Sequence, residues 1–315
     1  MKTALLRSYL FAPADNDRLL EKVFFAGGDA VVLDLEDAVL AGRKKNARNN
    51  LARKLQSLQS PHPRVFVRIN RITMSGWQDD VCSAVCPATA GIRVPKANSC
   101  LDILKVTEAL NVAEMRAGLP AGTILIYPTI ESAAGVLEAA NMAGCARVEA
   151  FCFGATDFLN DIFGEADELG LATLHAQSQL VITSRAAGLA PPIASVWTDL
   201  SDMDGFRRST LMMRRIGFFG RSCIHPKQLP VVHEIFTPSS QQVERAQKIV
   251  AAANDGACSN RGALLMEDGQ FVDEAVVARA RAVLRLAEQF RTKPEPQNAT
   301  APVWPLVRGG SDEGV

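Results

Sequence analysis

Thr123-Ile124-Leu125-Ile126-Tyr127-Pro128-Thr129-Ile130-Glu131-Ser132 is the stretch whose reading decides the fold. Its first five residues form a short apolar, β-branched run, the composition of a strand covered on both faces. Pro128 cannot donate to a ladder, so the strand is expected to end there. Beyond it, Ser132-Ala133-Ala134-Gly135-Val136-Leu137 opens a helical run, which places Glu131 at the turn between strand and helix. The pattern recurs one unit later. Residues 148–153 are apolar apart from Glu149, and Gly154-Ala155-Thr156-Asp157 offers a second carboxylate at the same kind of turn.

Outward from this stretch, strand-like runs alternate with helical periodicity. Residues 6–11 close on Ala12-Pro13, and Asp15 or Asn16 can cap a helix carrying Leu19, Leu20, Val23 and Phe24. Residues 30–33 lead into Asp34-Leu35-Glu36-Asp37, followed by a helix whose apolar stripe is Ala47, Leu51, Leu55 and Leu58. Residues 65–70 and 91–96 read as strands three and four. Past Asp157, a polar stretch over 160–170 precedes a helix over 174–187, and residues 192–196 and 220–224 supply strands seven and eight. Eight such units, with polar residues repeatedly at strand C-termini, point to an α/β fold of the (β/α)8 TIM barrel type. An open doubly wound sheet is the alternative, but no glycine-rich dinucleotide motif or P-loop supports it.

The barrel is expected to occupy residues 1–236. A small C-terminal α/β appendage follows over 237–291: a helix over 241–253, a hairpin over 261–271 turning at Asp268-Gly269, and an amphipathic helix with Val276, Ala280, Val283, Leu284 and Ala287. The Pro- and Gly-rich tail, 292–315, reads as disordered.

A chain of 315 residues that is 48% hydrophobic can bury a large core. Its 34 Lys and Arg balance 34 Asp and Glu, so nothing calls for nucleic acid or an anionic membrane. The seven cysteines are scattered and several lie in apolar runs, which suits buried thiols in a reducing compartment. Cys82 and Cys86 could form half a zinc site, but no second pair at ligand spacing follows. The N-terminus faintly mimics a secretory signal, yet Arg7 interrupts its apolar run, which is better read as the first strand. No run approaches the ~20 apolar residues of a membrane span. A cytoplasmic protein is expected.

In a barrel, Arg68, Lys96, Glu131 and Asp157 come from strands three to six and converge on one rim, with adjacent strands ~4.8 Å apart. Two carboxylates there can share one hard cation, as proteins usually hold Mg2+. Unpaired, they would repel and raise one pKa. Acids that merely begin helices would occupy the same positions, and position alone leaves both readings open. Arg68, inside Val65-Phe66-Val67-Arg68-Ile69-Asn70, needs an anionic ligand or a partner such as Glu36 or Asp37. Lys96 has solvent exposure as its plainer reading.

Several stretches together resemble a known family. They are Arg7-Ser8 with Leu10-Phe11-Ala12-Pro13-Ala14, Leu33-Asp34-Leu35-Glu36-Asp37-Ala38-Val39, Val67-Arg68-Ile69-Asn70, Pro128-Thr129-Ile130-Glu131-Ser132, Phe153-Gly154-Ala155-Thr156-Asp157-Phe158 and Ile224-His225-Pro226-Lys227-Gln228. Over roughly residues 7–290, and in this order, they look like the citrate lyase β-subunit-like branch of the HpcH/HpaI aldolase superfamily, which includes malyl-CoA and citramalyl-CoA lyases.

The resemblance implies Mg2+ held by Glu131 and Asp157, with Arg68 holding the reacting end of the substrate. It implies contacts to a CoA thioester from Phe11, Arg18 and Lys22. The last two are four apart on one helical face and can meet phosphates together, with a solvated basic face as the plainer reading. Ile224 and His225 match a substrate-lining position, and Glu36 and Asp37 are assigned to orienting Arg68 or the metal's waters. Asp273, in Gly269-Gln270-Phe271-Val272-Asp273, matches an acid that reaches a neighbouring subunit's site. By itself it reads as a helix N-cap. That role requires a homo-oligomer, a trimer or hexamer. Phe11 stands where some relatives have Tyr, which removes a hydroxyl contact.

The implied activity is a Mg2+-dependent carbon–carbon lyase. It would cleave a 3-hydroxyacyl-CoA thioester of the citramalyl-CoA or malyl-CoA type to acetyl-CoA and a 2-oxo acid. The alternative is a citrate lyase β subunit acting on a citryl-acyl-carrier-protein thioester alongside other citrate lyase subunits. A non-catalytic thioester-binding protein is the reading of a different class, and the intact set Arg68, Glu131, Asp157 and Asp273 argues against it.

Overall fold

The computed structural model describes residues 4–167, 170–258, 264–266 and 269–291. The expected turn residue Asp268 and the tail from Thr292 lie outside the described residues. Two compact units are present, one within residues 1–232 and the other within 233–297.

The first unit alternates strand and helix: β1 (Ser8–Pro13), α1 (Asp17–Lys22), β2 (Ala30–Asp34), α2 (Lys44–Ser57), β3 (Arg64–Arg68), α3 (Trp77–Ala84), β4 (Thr89–Val94) and α4 (Cys100–Arg116). It continues with β5 (Leu125–Ile130), α5 (Ala133–Ala143), β6 (Cys152–Phe153), α6 (Ala155–Asp161), α7 (Leu171–Ala186), α8 (Met203–Ile216) and β7 (Arg221–Cys223). Helix α9 (Leu229–Phe236) crosses from one unit to the other. Strands β1 to β7 form one parallel sheet in the order β6-β5-β4-β3-β2-β1-β7. The sheet curls, as a parallel sheet clad by its crossover helices does, into at least a half-barrel. β2 is buried at every residue, consistent with its unbroken apolar run.

Register positions the polar residues. Asp34 pairs with Arg68, Arg68 with Arg93, and Arg93 with Tyr127, so four polar side chains lie in one row across β2 to β5. The concave side is filled by Tyr9, Ala30, Val32, Phe66, Tyr127, Cys152 and Ile193. The Tyr9–Phe66 and Phe66–Tyr127 rings meet edge-on at 5.4 and 5.0 Å. Gly91 is required there, because a Cβ on it would come within 2.5 Å of the Tyr127 ring.

Three expectations are corrected. β5 does not end at Pro128 but runs through it to Ile130. Pairing with the next strand advances from Ile126↔Val148 to Thr129↔Cys152, so the partner carries one extra residue opposite Pro128. A bulge of this kind leaves no ladder bond for the proline to forfeit. Strand seven, expected over 192–196, is reduced to bridges at Ile193 and Ala194. Pro191 and Pro192 remove two consecutive donors at its start. Its backbone still bonds on both sides, to Phe151 and Phe153 through Ile193 and to Gly220 and Ser222 through Ala194. Finally, Cys100 and Cys145 are not separate thiols but lie within disulfide-bonding reach of one another, whereas Cys152 and Cys223 are buried and free.

The second unit contains α10 (Ser240–Cys258), the short antiparallel pair β8 (Leu264–Leu265) and β9 (Phe271–Val272), and α11 (Glu274–Arg291). Its core is Ala246, Ile249, Val272, Val277 and Ala280. Among the described residues no helix is long and apolar enough to cross a membrane.

Candidate active site

Strand C-termini bring the charged residues together. Arg68 closes β3 and donates from Nε and Nη2 to the two carboxylate oxygens of Asp34, both at 2.7 Å. Its Nη1 lies 3.0 Å from Glu36 and 3.6 Å from Asp37. The partner expected from sequence was Glu36 or Asp37, and both are in range. The bidentate partner is nevertheless Asp34, because the β2–β3 register sets the two opposite each other. Asp34 also accepts from the backbone of Glu36 at 3.0 Å and of Ala38 at 3.2 Å. Burial alone would raise its pKa, but the Arg68 guanidinium together with the Glu36 and Ala38 amides outweighs burial and holds it below the ordinary value. The guanidinium carbon of Arg68 lies 5.2 Å from the Phe11 ring centre.

Lys44, at the start of α2, donates from Nζ to the carbonyls of Leu35 at 2.7 Å and Glu36 at 2.6 Å. It clamps the turn that carries Glu36 and Asp37, a duty no reading of the sequence assigned to it. Glu36 is buried and Asp37 exposed. Burial pushes the Glu36 carboxyl up to about 7, with Arg68 opposing and the neighbouring Asp37 and Asp34 adding to the rise.

Glu131 follows β5 and is 7% exposed. It does not cap α5, since Ser132 does so through its hydroxyl, accepting from the Gly135 amide at 3.0 Å. Glu131 is therefore not the cap itself but the residue directly before it. Burial pushes Glu131 up to about 8, and the charges of Glu36 and Asp157 add to that shift. Gly154 makes room for it, because a Cβ there would lie 2.4 Å from the Glu131 Cγ and 2.8 Å from Oε1. Asp157, in the first turn of α6, is half-buried and accepts from Lys96 Nζ at 2.8 Å. Lys96 is therefore paired and not simply solvated. Its pKa rises, chiefly through this bond to Asp157. Its backbone adopts φ 49°, a left-handed conformation that costs a lysine roughly 1–3 kcal/mol.

Asp34, Glu36, Asp37, Glu131 and Asp157 thus crowd a few strand ends, opposed there by Arg68, Lys96 and Lys44. Among the described residues no three His, Cys, Asp or Glu side chains are grouped as a complete metal cage. Glu131 and Asp157 nonetheless fit a hard divalent cation. They are oxygen donors following neighbouring strands, and the repulsion from Glu36 and Asp157 that adds to the burial-driven rise at Glu131 is what a cation would relieve.

The other expected residues are spread around the first unit. Phe11 is half-buried within β1. Arg18 is exposed on α1 and Lys22 closes that helix. Ile224 and His225 follow β7, and both backbone amides donate to Gln228 Oε1, at 2.9 and 3.3 Å. His225 Nδ1 accepts from the Lys227 amide at 3.1 Å, and burial and then Lys227 lower its pKa. In the second unit, Asp273 caps α11 by accepting from the Val276 amide at 3.0 Å.

Residues 7–226 match the HpcH/HpaI aldolase/citrate lyase family. The chain is 31% identical to citrate lyase subunit beta of Leuconostoc mesenteroides subsp. cremoris, over 90% of this chain and 93% of that one. It is 31% identical to the L-malyl-CoA/beta-methylmalyl-CoA lyase of Cereibacter sphaeroides, over 90% and 95%. The crystal structure of CitE from Mycobacterium tuberculosis in complex with magnesium, acetoacetate and coenzyme A superposes with a TM-score of 0.73 at 29% identity, covering 90% of this chain and 99% of that one. This chain belongs to the HpcH/HpaI aldolase/citrate lyase family.

Proposed function

We propose that the protein is a divalent-metal-dependent carbon–carbon lyase that splits a 3-hydroxyacyl thioester into a 2-oxo acid and an acetyl thioester. The observation that carries this reading is the buried Glu131 beside Asp157 and Lys96, at the strand ends next to the anchored Arg68. A cation of the Mg2+ type held by Glu131 and Asp157 would supply a Lewis acid for the substrate's hydroxyl and adjacent carboxylate. Arg68, pinned by Asp34 on one edge, keeps a positive charge fixed where negative charge develops as the carbon–carbon bond breaks. A base takes the proton of the substrate hydroxyl, whose oxygen becomes the oxo group of the 2-oxo acid, and the bonding electron pair passes to the thioester as an enolate. Asp273, supplied by a neighbouring copy in a homo-oligomer, donates the proton that turns the enolate carbon into the acetyl methyl group. Glu36 and Asp37 orient Arg68, and Phe11, Arg18, Lys22, Ile224 and His225 line the thioester's path.

The curled sheet closes as a (β/α)8 barrel in this proposal, which is supported by the backbone bonds of Ile193 and Ala194 to its two outer strands. The likeness to citrate lyase subunit beta favours a second reading, in which the acyl group rides on a carrier protein and other subunits take part.

The test is acetyl thioester release by the purified chain from malyl-, citramalyl- and citryl-CoA, with Mg2+ and then with EDTA, beside Glu131→Gln. Metal-dependent release that the variant lacks is the expected result. A folded wild type that releases nothing from the panel rules out the free-CoA lyase and leaves the carrier-bound reading to be tried with a citryl-carrier substrate.

A further inference from the structure

Arg93 is the register partner of Arg68 on the neighbouring strand, and its guanidinium carbon, like that of Arg68, lies 5.2 Å from the Phe11 ring centre. It is 2% exposed. Its Nη1 reaches β7 to donate to the Ser222 hydroxyl at 2.9 Å, and the Tyr9 ring centre lies 4.8 Å away. Among the described residues, Nε and Nη2 have no hydrogen-bond partner, and no carboxylate forms an ion pair with Arg93. Burying a guanidinium in this way is unfavourable, and ring faces compensate it only in part because they leave the in-plane N–H groups unused.

The two unpaired groups are not an arbitrary pair. Nε–H and Nη2–H form the side-on edge of a guanidinium, where two donors point the same way with the spacing of a carboxylate. On Arg68 that same edge holds Asp34 at 2.7 and 2.7 Å. A residue serving only as an interior prop would need Nη1 and the ring contacts, and the fork would have no task.

We propose that Arg93 is a specificity-determining residue whose fork receives a second carboxylate on the acyl substrate. This rests on the lyase reading and selects within it. A citryl-type acyl group carries two free carboxylates and releases a dicarboxylic 2-oxo acid, whereas malyl and citramalyl groups carry one. Phe11, the half-buried ring touching both guanidiniums, is the side chain that turns to admit the ligand.

The test is calorimetric binding of freshly prepared oxaloacetate and of pyruvate, in Mg2+, to the wild type, Arg93→Met and Arg93→Lys. The wild type is expected to bind oxaloacetate about 10- to 100-fold more tightly than pyruvate, the range a charged hydrogen-bonded contact supplies. Arg93→Met should erase that preference while pyruvate affinity stays within about twofold, and Arg93→Lys should keep only part of it. A wild type without the preference overturns the proposal whether or not the variants fold. So does a folded Arg93→Met protein that keeps the preference or loses both ligands equally. A wild type that shows the preference through Arg93 but cleaves no thioester overturns the lyase reading instead. One that cleaves thioesters without the preference leaves the lyase standing and removes the fork's role.

Discussion

Arg68 and Asp34 form a two-bond fork across adjacent parallel strands, with both contacts at 2.7 Å and Asp34 only 1% exposed. Replacing one member leaves the other a buried, uncompensated charge. Asp34→Asn is therefore expected to lower unfolding free energy by about 3–5 kcal/mol, measured by urea denaturation at neutral pH. The pH dependence has a definite sign. The folded pKa of Asp34 is depressed, so its contribution is complete above the unfolded carboxylate value and is lost as pH falls through the folded one. The wild type should show an acid limb of instability below about pH 4 that is smaller in Asp34→Asn. Identical acid limbs in the two proteins would show that this pair does not govern acid stability.

Glu131 has the opposite linkage. Burial, with Glu36 and Asp157, raises its carboxyl to about 8, so the folded metal-free protein holds that proton more tightly than the unfolded chain. Stability in EDTA should fall as pH rises from the ordinary carboxylate value towards about 8, and Glu131→Gln should flatten this slope. A divalent cation must displace the same proton. Its apparent affinity should rise about tenfold per pH unit below that value and level off above it. Titration calorimetry with Mg2+ from pH 6 to pH 9 reads this directly, and a pH-independent affinity would remove Glu131 from the metal site.

How much of this was legible in the sequence depended on whether the signal was local. β2 and the strand that presents Glu131 announce themselves as apolar runs, and Asn16 and Ser132 sit at helix starts where short polar side chains cap. The choice of Asp34 over Glu36 as the partner of Arg68 was not legible, because three acids stand within four residues and only inter-strand register decides among them. Cys100 and Cys145 are 45 residues apart, and nothing local joins them. Arg93 could have been found. It sits between Ile92 and Val94 in an apolar strand, as Arg68 sits between Val67 and Ile69, and the argument that a buried guanidinium needs an anion applies equally to both.

Gly154 gives a test of geometry without chemistry. Its φ of −111° is open to alanine, so the backbone has no reason to resist substitution. The added methyl group would instead meet the Glu131 side chain at 2.4 to 2.9 Å. Gly154→Ala is expected to displace that carboxylate, lowering kcat/KM about 10- to 100-fold with little loss of melting temperature. Full activity in the variant would mean that Glu131 need not occupy the position it holds here.

Asp273 allows the neighbouring-copy arrangement to be tested by complementation. Asp273→Asn preserves the cap on α11, since asparagine caps about as well as aspartate, so stability should change by less than about 1 kcal/mol. In the proposed role of proton donor to the enolate, however, Asp273 has no substitute in asparagine, and about a 100-fold or greater loss of turnover is expected. Glu131→Gln should be inactive for the unrelated reason that it lacks the carboxylate proposed to bind the metal. When the two variants are mixed and their subunits exchanged, a site that takes Glu131 from one chain and Asp273 from the next becomes intact, and activity should reappear. A mixture that exchanges subunits yet stays inactive places both residues in the same chain's site. If Asp273→Asn alone turns over at the wild-type rate, the residue is a helix cap and nothing more.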